Sequence, residues 1–351
     1  MKRGRAPAAL ALLAVLLPQT AAGRPFGLGP ARGAFAPSGG FRLGAGVEPE
    51  DAPAHGTKAG SDAPSPPAAP PKLFDRQTTL FTAAVLVTVP VLGYLTWWHS
   101  DWTGHVTFSS EGWFEESTYA GGADKASHIT FSYLLTLAFQ SAYRSLGKKP
   151  DEARGLAFGL TVVSGVLIEI GDGLSRYGFS WEDAAANAIG STMATFVDAF
   201  GLKDTFGLRF GWVPNSIPPP CCRYAGYGKD YSDEIYAADL KLEGLLPRVG
   251  VTPGLLRFFL VGMTYSSKGY RHSPPSYRQR QLGFEFGLAL PPILRALGVR
   301  DETWWGKVLL VLFEYFRVPY TAFGWQYDLN QGTWHGPNTG GSYDPGYILY
   351  D

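Results

Sequence analysis

The sequence predicts a mainly α-helical fold, an antiparallel bundle of about four helices with a small antiparallel β element C-terminal to it. Three observations carry this expectation. Between Gly121 and Phe200, polar residues interrupt three apolar segments at helical spacing. Ahead of them, Thr78 to Trp98 is apolar and free of charge. Beyond Gly201 the apolar period changes to two, the period of a strand.

Composition bounds the function. The 351 residues suffice for one large domain or two ordinary ones. Thirty basic and 30 acidic side chains cancel, which argues against a nucleic-acid-binding surface. Charged residues are only 17% and aromatics reach 14%, a balance that tilts toward a membrane or its vicinity. The two cysteines, Cys221 and Cys222, are adjacent. Their Cα atoms lie about 3.8 Å apart, too close for an ordinary disulfide. They exclude a disulfide framework and a cysteine-based zinc site.

Residues 1–22 read as a signal peptide. Lys2, Arg3 and Arg5 precede the apolar run Ala8 to Leu17, and Thr20-Ala21-Ala22 offers small residues for cleavage. Residues 23–71 are rich in Gly, Ala and Pro and read as a disordered linker. Residues 72–200 are the expected bundle. Thr78 to Trp98 has the length of a bilayer-spanning helix with a kink at Pro90; a core helix is the competing reading. Trp98 to Tyr119 reads as an aromatic loop or short hairpin. His128 to Leu146 is the second helix, stopped by Lys148-Lys149-Pro150. Asp151 to Ile170 is the third, with Asp151 as its cap and Gly171 and Gly173 at its end. The fourth runs from Ser180, which with Asp183 resembles a capping box, to about Phe200.

Residues 201–330 are expected to be a β-containing part packed on the bundle. Pro214, Pro218, Pro219 and Pro220 mark a loop. Alternation then appears around Tyr236 to Leu242, Phe259 to Tyr265 and Leu282 to Leu290. Arg271 to Tyr277 would be a hairpin loop. Three strands make a small sheet but are too few to close a membrane barrel. Trp304 to Tyr315 is a further helix. The aromatic, Gly-rich stretch from Gly324, including the tail 331–351, reads as irregular.

The candidate site is the polar set inside the bundle: Asp124, Lys125 and His128, then Glu169 and Asp172, then Ser180, Asp183 and Asn187. Residues three or four apart share a helix face, and charges on apolar helices are costly unless they meet a partner. Three uses fit the residue types: a hard or borderline divalent ion, a general acid/base centre, or a hydrogen-bond network that fixes helix register. Glu169 follows Val162, Val163, Val166, Leu167 and Ile168, so it is the best candidate for a raised pKa. Paired with His128 it is the candidate catalytic couple; Asp124, Lys125, Asp172, Ser180, Asp183 and Asn187 would orient it or bind a ligand. Other uses compete. Asp124, after Gly121-Gly122, can cap its helix, Lys125 can snorkel to water, and Asn187 with Gly190 can serve close packing. No metal or cofactor identity follows. The chain has no His-Glu-x-x-His, Gly-x-Ser-x-Gly or phosphate-loop signature.

The ordered set Asp124-Lys125-x-x-His128, Glu169-x-x-Asp172-Gly173 and Phe179-Ser180-x-x-Asp183, with Asn187 and Gly190, resembles the YfiM-like family of uncharacterised bacterial envelope proteins, predicted periplasmic lipoproteins. More loosely it is similar to VanZ-like membrane proteins, which are linked to glycopeptide resistance. Lys229-Asp230-Tyr231 and Tyr236, followed by paired strands, look like longer members of the first family. The resemblance implies a membrane-associated, periplasm-facing place in the envelope, with membrane lipid and an envelope protein as partners, and no reaction. The chain departs from it in having no cysteine near Ala22; the apolar helix at Thr78 would replace a lipid anchor. The expected function is a non-enzymatic envelope protein that is structural or binds a partner or ligand. The alternative is a membrane-embedded hydrolase or transferase acting on a lipid or lipid-linked cell-wall precursor.

Overall fold

A computed structural model of the chain describes residues 73–212, 231–270 and 278–341. The expected signal peptide and linker, the proline loop, Cys221 and Cys222, Lys229-Asp230, the loop at Arg271 to Tyr277 and residues 342–351 lie outside the described residues.

Among the described residues four long helices come first. Helix α1 is Arg76–Gly93, opened by Asp75, whose carboxylate accepts from the Thr78 N–H at 2.9 Å. It contains Pro90 and runs into a wider π-helical turn at Tyr94–Trp98. Helices α2 (Ala123–Ser145), α3 (Pro150–Gly173) and α4 (Trp181–Ala199) pack on one another. The expected caps divide. Ser180 Oγ does accept from the Asp183 N–H, at 3.2 Å. Asp151 does not cap α3: Pro150 occupies its first turn, and Glu152 accepts from the Lys149 N–H. Asp124 does not cap α2, because Gly122 holds that position without a side-chain bond.

Two close approaches set the bundle geometry. A Cβ on Gly190 of α4 would sit 2.0 Å from the Ile129 carbonyl oxygen of α2, so the two backbones touch there. A Cβ on Gly171 would enter the Trp98 indole, which lies across α3 and donates to Asp172 Oδ1 at 2.7 Å.

The rest of the chain corrects the expected fold class. Among the described residues there are seven α-helices and a seven-stranded mixed sheet, with a separate two-stranded sheet joining β1 (Phe108–Ser109) to β2 (Phe179–Ser180). This is not a mainly α bundle with a small β element. The large sheet comprises β3 (Phe206–Trp212), β4 (Glu234–Lys241), β5 (Phe259–Lys268), β6 (Gln279–Leu288), β7 (Phe316–Arg317), β8 (Ala322–Asp328) and β9 (Thr333–Asn338). Its order is β7-β3-β4-β5-β6-β8-β9, antiparallel except where β3 meets β7. Short helices α5 (Leu242–Arg248), α6 (Leu290–Ala296) and α7 (Trp304–Tyr315) join the strands. The alternating segments expected as three strands coincide with β4, β5 and β6 except at two ends, where Leu242 and Leu290 open short helices. The stretch from Gly324, expected to be irregular, holds most of β8 and all of β9. The reason is chemical. In Phe206-Gly207-Leu208-Arg209-Phe210-Gly211-Trp212 and again in β8, aromatics alternate with glycine or one polar residue, so the period of two is carried by Gly and not by charge.

Sheet and bundle share a core in which Tyr133 and Leu137 of α2, Ala194 and Val197 of α4 and Leu208 of β3 pack together. Among the described residues two helices, Arg76–Trp98 and Pro150–Gly173, are by length and composition long and apolar enough to cross a membrane.

Replacing Gly190 by Ala is expected to lower stability by about 1–3 kcal/mol, because two backbones must separate. Gly159, on the same bundle but with nothing within 4 Å of a built Cβ, gives the control: Gly159→Ala should be neutral or raise stability by up to about 1 kcal/mol. Thermal melts of the two variants check the pair.

Candidate functional site

The polar residues of three helices meet at one end of the bundle. Lys125 is the centre. Its ammonium lies 2.8 Å from Glu111 Oε2, 2.9 Å from Asp124 Oδ2 and 2.6 Å from Asp183 Oδ1, and its side chain is 2% exposed. It is not the solvated or snorkelling charge that was one reading of it. His128 Nε2 stands 3.8 Å from both Asp124 Oδ1 and Asp183 Oδ1. Its Nδ1 is 3.1 Å from Asn187 Oδ1, which also accepts from Ser132 Oγ at 2.6 Å. Glu169 accepts from the Ser180 N–H at 3.3 Å through Oε2; its Oε1 is buried and has no partner, and neither has Asn187 Nδ2. Asn187 also packs closely, since a Cβ on Gly165 would lie 2.9 Å from its Nδ2. Asp172 is turned to Trp98 and joins the cluster only through its field.

The eight expected residues thus stand at one bundle end. Four more were not anticipated. Glu111 arrives from the loop before α2, and Tyr231 donates to Asp124 Oδ1 from the approach to β4. Ser132 and Trp98 hold Asn187 and Asp172. Glu111 and Tyr231 lie in irregular stretches where spacing carries no signal. Ser132, four residues after His128 on the same helix face, was legible by that spacing. A surface dent too small to hold a water molecule lies beside Lys125, bordered by Glu111, Trp113, Thr118 and Tyr119.

Burial disfavours every charge here, and the cluster answers by sorting protons. Burial opposes ionisation of Asp124, but the His128 and Lys125 cations and the Tyr231 hydroxyl outweigh it and hold the carboxyl well below the usual range. Burial opposes the Lys125 cation too, and Asp124 and Asp183 overcome this and hold its proton above the ordinary lysine value. His128 is pushed up to about 9: burial works against its cation, and Asp124, Asp183 and Glu169 more than compensate. Burial raises Asp183, against the pull of His128. Glu111 rises to about 7 through burial and the Asp124 charge, and Asp172 to about 6 through burial, opposed by the Trp98 indole. Glu169 rises to about 8, mainly through burial and against His128. At neutral pH the set therefore holds two cations, a firmly ionised Asp124 and a protonated Glu169, with burial pushing Asp183 toward its neutral form.

As a metal site the donors fit by type and spacing: Asp124, His128 and Asp183 each offer a ligand atom, all within 4.8 Å of one another. The ammonium of Lys125 already sits against both carboxylates. A divalent ion would have to displace it.

Two outcomes are expected. The His128 shift, from 6.5 to about 9, gives stability that is fully present below about pH 6.5 and is lost as pH rises through about 9. Glu169, raised from 4.5 to about 8, keeps a proton in the folded state that the unfolded chain releases, so it also costs stability progressively between those values. Unfolding midpoints should fall from about pH 5 to about pH 9, and His128→Gln should flatten the alkaline part of that slope at a cost of at most about 3 kcal/mol at neutral pH. Elemental analysis of the purified chain should find sub-stoichiometric divalent metal, whereas one equivalent would show that a cation displaces Lys125.

No curated protein and no solved structure matches the chain. Residues 110–199, which carry all of the cluster except Tyr231 and Trp98, match the model of a family described as "Predicted periplasmic lipoprotein (DUF2279)". The match does not reach the narrower YfiM-like and VanZ-like names; it supports a likeness to an uncharacterised family of envelope lipoproteins and, with it, a periplasmic place in the cell envelope.

Proposed function

We propose that this chain is a non-enzymatic envelope protein held at a membrane, in which the polar cluster is a charge lock that fixes three helices and fastens them to the sheet. The observation that carries this reading is the position of Lys125. Its ammonium fills the space among three carboxylates, where an ion or a substrate cation would otherwise bind. The same helix end is tied to the sheet by Tyr231 on Asp124, Tyr265 on the Gly121 carbonyl and Ser267 on the Ala120 carbonyl. Helix α1 supports membrane attachment: Leu80, Val87 and Val91 point outward and are exposed.

A second reading rests on a different observation. Glu169 keeps its proton near neutral pH, leaves Oε1 without a partner, and shares a cluster with His128, whose side chain is still 22% exposed. That is the equipment of a proton-transfer couple acting on a lipid or lipid-linked precursor.

One set of variants separates the two. Lys125→Met should lower stability by about 3–5 kcal/mol, since it leaves buried carboxylates uncompensated. His128→Gln and Glu169→Gln should fold, and neither they nor the parent chain should turn over lipid phosphates or lipid-linked diphosphates. Turnover by the parent that disappears in a folded His128→Gln or Glu169→Gln variant would replace the first reading by the second.

A further inference from the structure

The seven-stranded sheet is inverted. Its buried face is polar: Arg209 pairs with Asp239, Nη2 to Oδ1 at 3.0 Å, and lies 3.4 Å from Glu285 Oε1; Arg317 holds Glu285 Oε2 at 2.7 Å. Gln281 and Gln326 flank this chain of charges, and all six residues are buried. The opposite face is apolar; over β3, β4 and the Tyr265 end of β5 it packs on the bundle, and from Val261 and Met263 across β6, β8 and β9 it is open. Val261, Met263, Phe284, Phe323, Trp325 and Trp334 are each 44–59% exposed. The register puts Met263, Phe284 and Trp325 side by side on that face, and Thr264, Gly283 and Gln326 side by side on the other. The sheet also curls on itself: Arg317 of β7 donates to the Gly340 carbonyl just beyond β9, at 3.0 Å, bringing the two edges together. Glycines make the tight inner radius possible, since a Cβ on Gly262 would meet Asp239 Oδ1 at 2.4 Å.

We propose that this outer face is covered by the acyl chains of a bilayer, so that the sheet is a membrane-embedded element with a polar interior. It extends the membrane attachment of the reading above from α1 to the sheet. Three observations select lipid as the occupant. A water-soluble sheet covers its apolar face; this one buries its charges and leaves the apolar face open wherever the bundle does not cover it, the arrangement of transmembrane strands. The thickness fits. Strands β5 and β6 have 10 residues each, about 33 Å extended and about 23 Å when tilted near 45°. Beside them, residues 129–143 of α2 carry no charge and rise about 22 Å. Both fit the apolar band of about 25 Å known for membrane strands. Finally, the helices and the sheet share one apolar belt with charged rims. The Lys125 cluster and Tyr231 mark one rim; Arg144 with Asp198 and Lys241 with Glu314 mark the other.

The test uses the full chain with both cysteines replaced by serine, reconstituted in phosphatidylethanolamine–phosphatidylglycerol vesicles with brominated acyl chains. Single cysteines at Met263, Phe284 and Asp151 carry a polarity-sensitive fluorophore. The expected result is blue-shifted emission strongly quenched by bromine at Met263 and Phe284, and water-like, unquenched emission at Asp151, which lies in the charged end of α3. Water-like emission at Met263 and Phe284 in a chain that still co-floats with vesicles overturns the sheet proposal and leaves attachment through α1 standing. Shielding of those labels without bromine quenching, in a self-associated or protein-bound form, overturns it as well. An unlabelled variant guards against misfolding: Phe284→Lys should lower the inserted, folded fraction by on the order of 100-fold. A Phe284→Lys chain that is folded and monomeric in detergent-free buffer overturns the proposal.

Discussion

The buried ammonium of Lys125 is the constraint on which the rest depends. A lysine 2% exposed is stable only if its desolvation is compensated, and three carboxylates within 3 Å do so. Each comes from a different part of the chain: Glu111 from the entry loop, Asp124 from α2, Asp183 from the first turn of α4. Satisfying one charge therefore fixes the loop and two helices at once. Tyr231 and Tyr265 extend that fixation to β4 and β5. The net effect is specificity more than strength, because a buried ion cluster returns little beyond its own desolvation cost.

The same principle operates twice. In the bundle, charges gather at the two ends and leave the middle of α2 uncharged. In the sheet, they gather on the concave face and leave the convex face apolar. In both, polar groups find one another and the surface left over is hydrocarbon. The exposed apolar side chains of α1 and of the sheet are the counterpart of that economy, since a chain with only 17% charged residues that buries many of them has few to show to water.

Much of the site was legible in sequence and less of the fold. Asp124 with His128, Glu169 with Asp172, and Asp183 with Asn187 recur at three or four residues on apolar segments, and desolvation alone requires them to converge. Lys125 was misjudged because a lysine near a helix start is ordinarily solvated; its burial depends on Glu111, which no periodicity connects to it. The missing strands failed for a related reason. Period-two patterns are read from apolar–polar contrast, but in β3 and β8 the inward positions are mostly small, as at Gly207, Gly211, Ala322 and Gly324, to let the sheet curve. Glycine in that role is indistinguishable from glycine in a loop until the register is known.

The inverted sheet also explains where the charge lock sits. A buried cluster of acids, lysine and imidazole needs a route for protons and some contact with water, and His128 keeps part of its surface exposed. Placed midway along α2, the same residues would lie beside the shared core of Tyr133, Leu137 and Leu208, where the neighbouring polar side chains are uncharged, as at Thr136 and Thr161. At the rim they meet the loop carrying Glu111, the N-terminal turn of α4 and the approach to β4, all sources of backbone N–H groups and hydroxyls. The helix start at Ser180 adds the favourable end of a dipole for Asp183. The site therefore lies where an apolar belt ends, at a level where three helices and the approach to the sheet all supply polar partners.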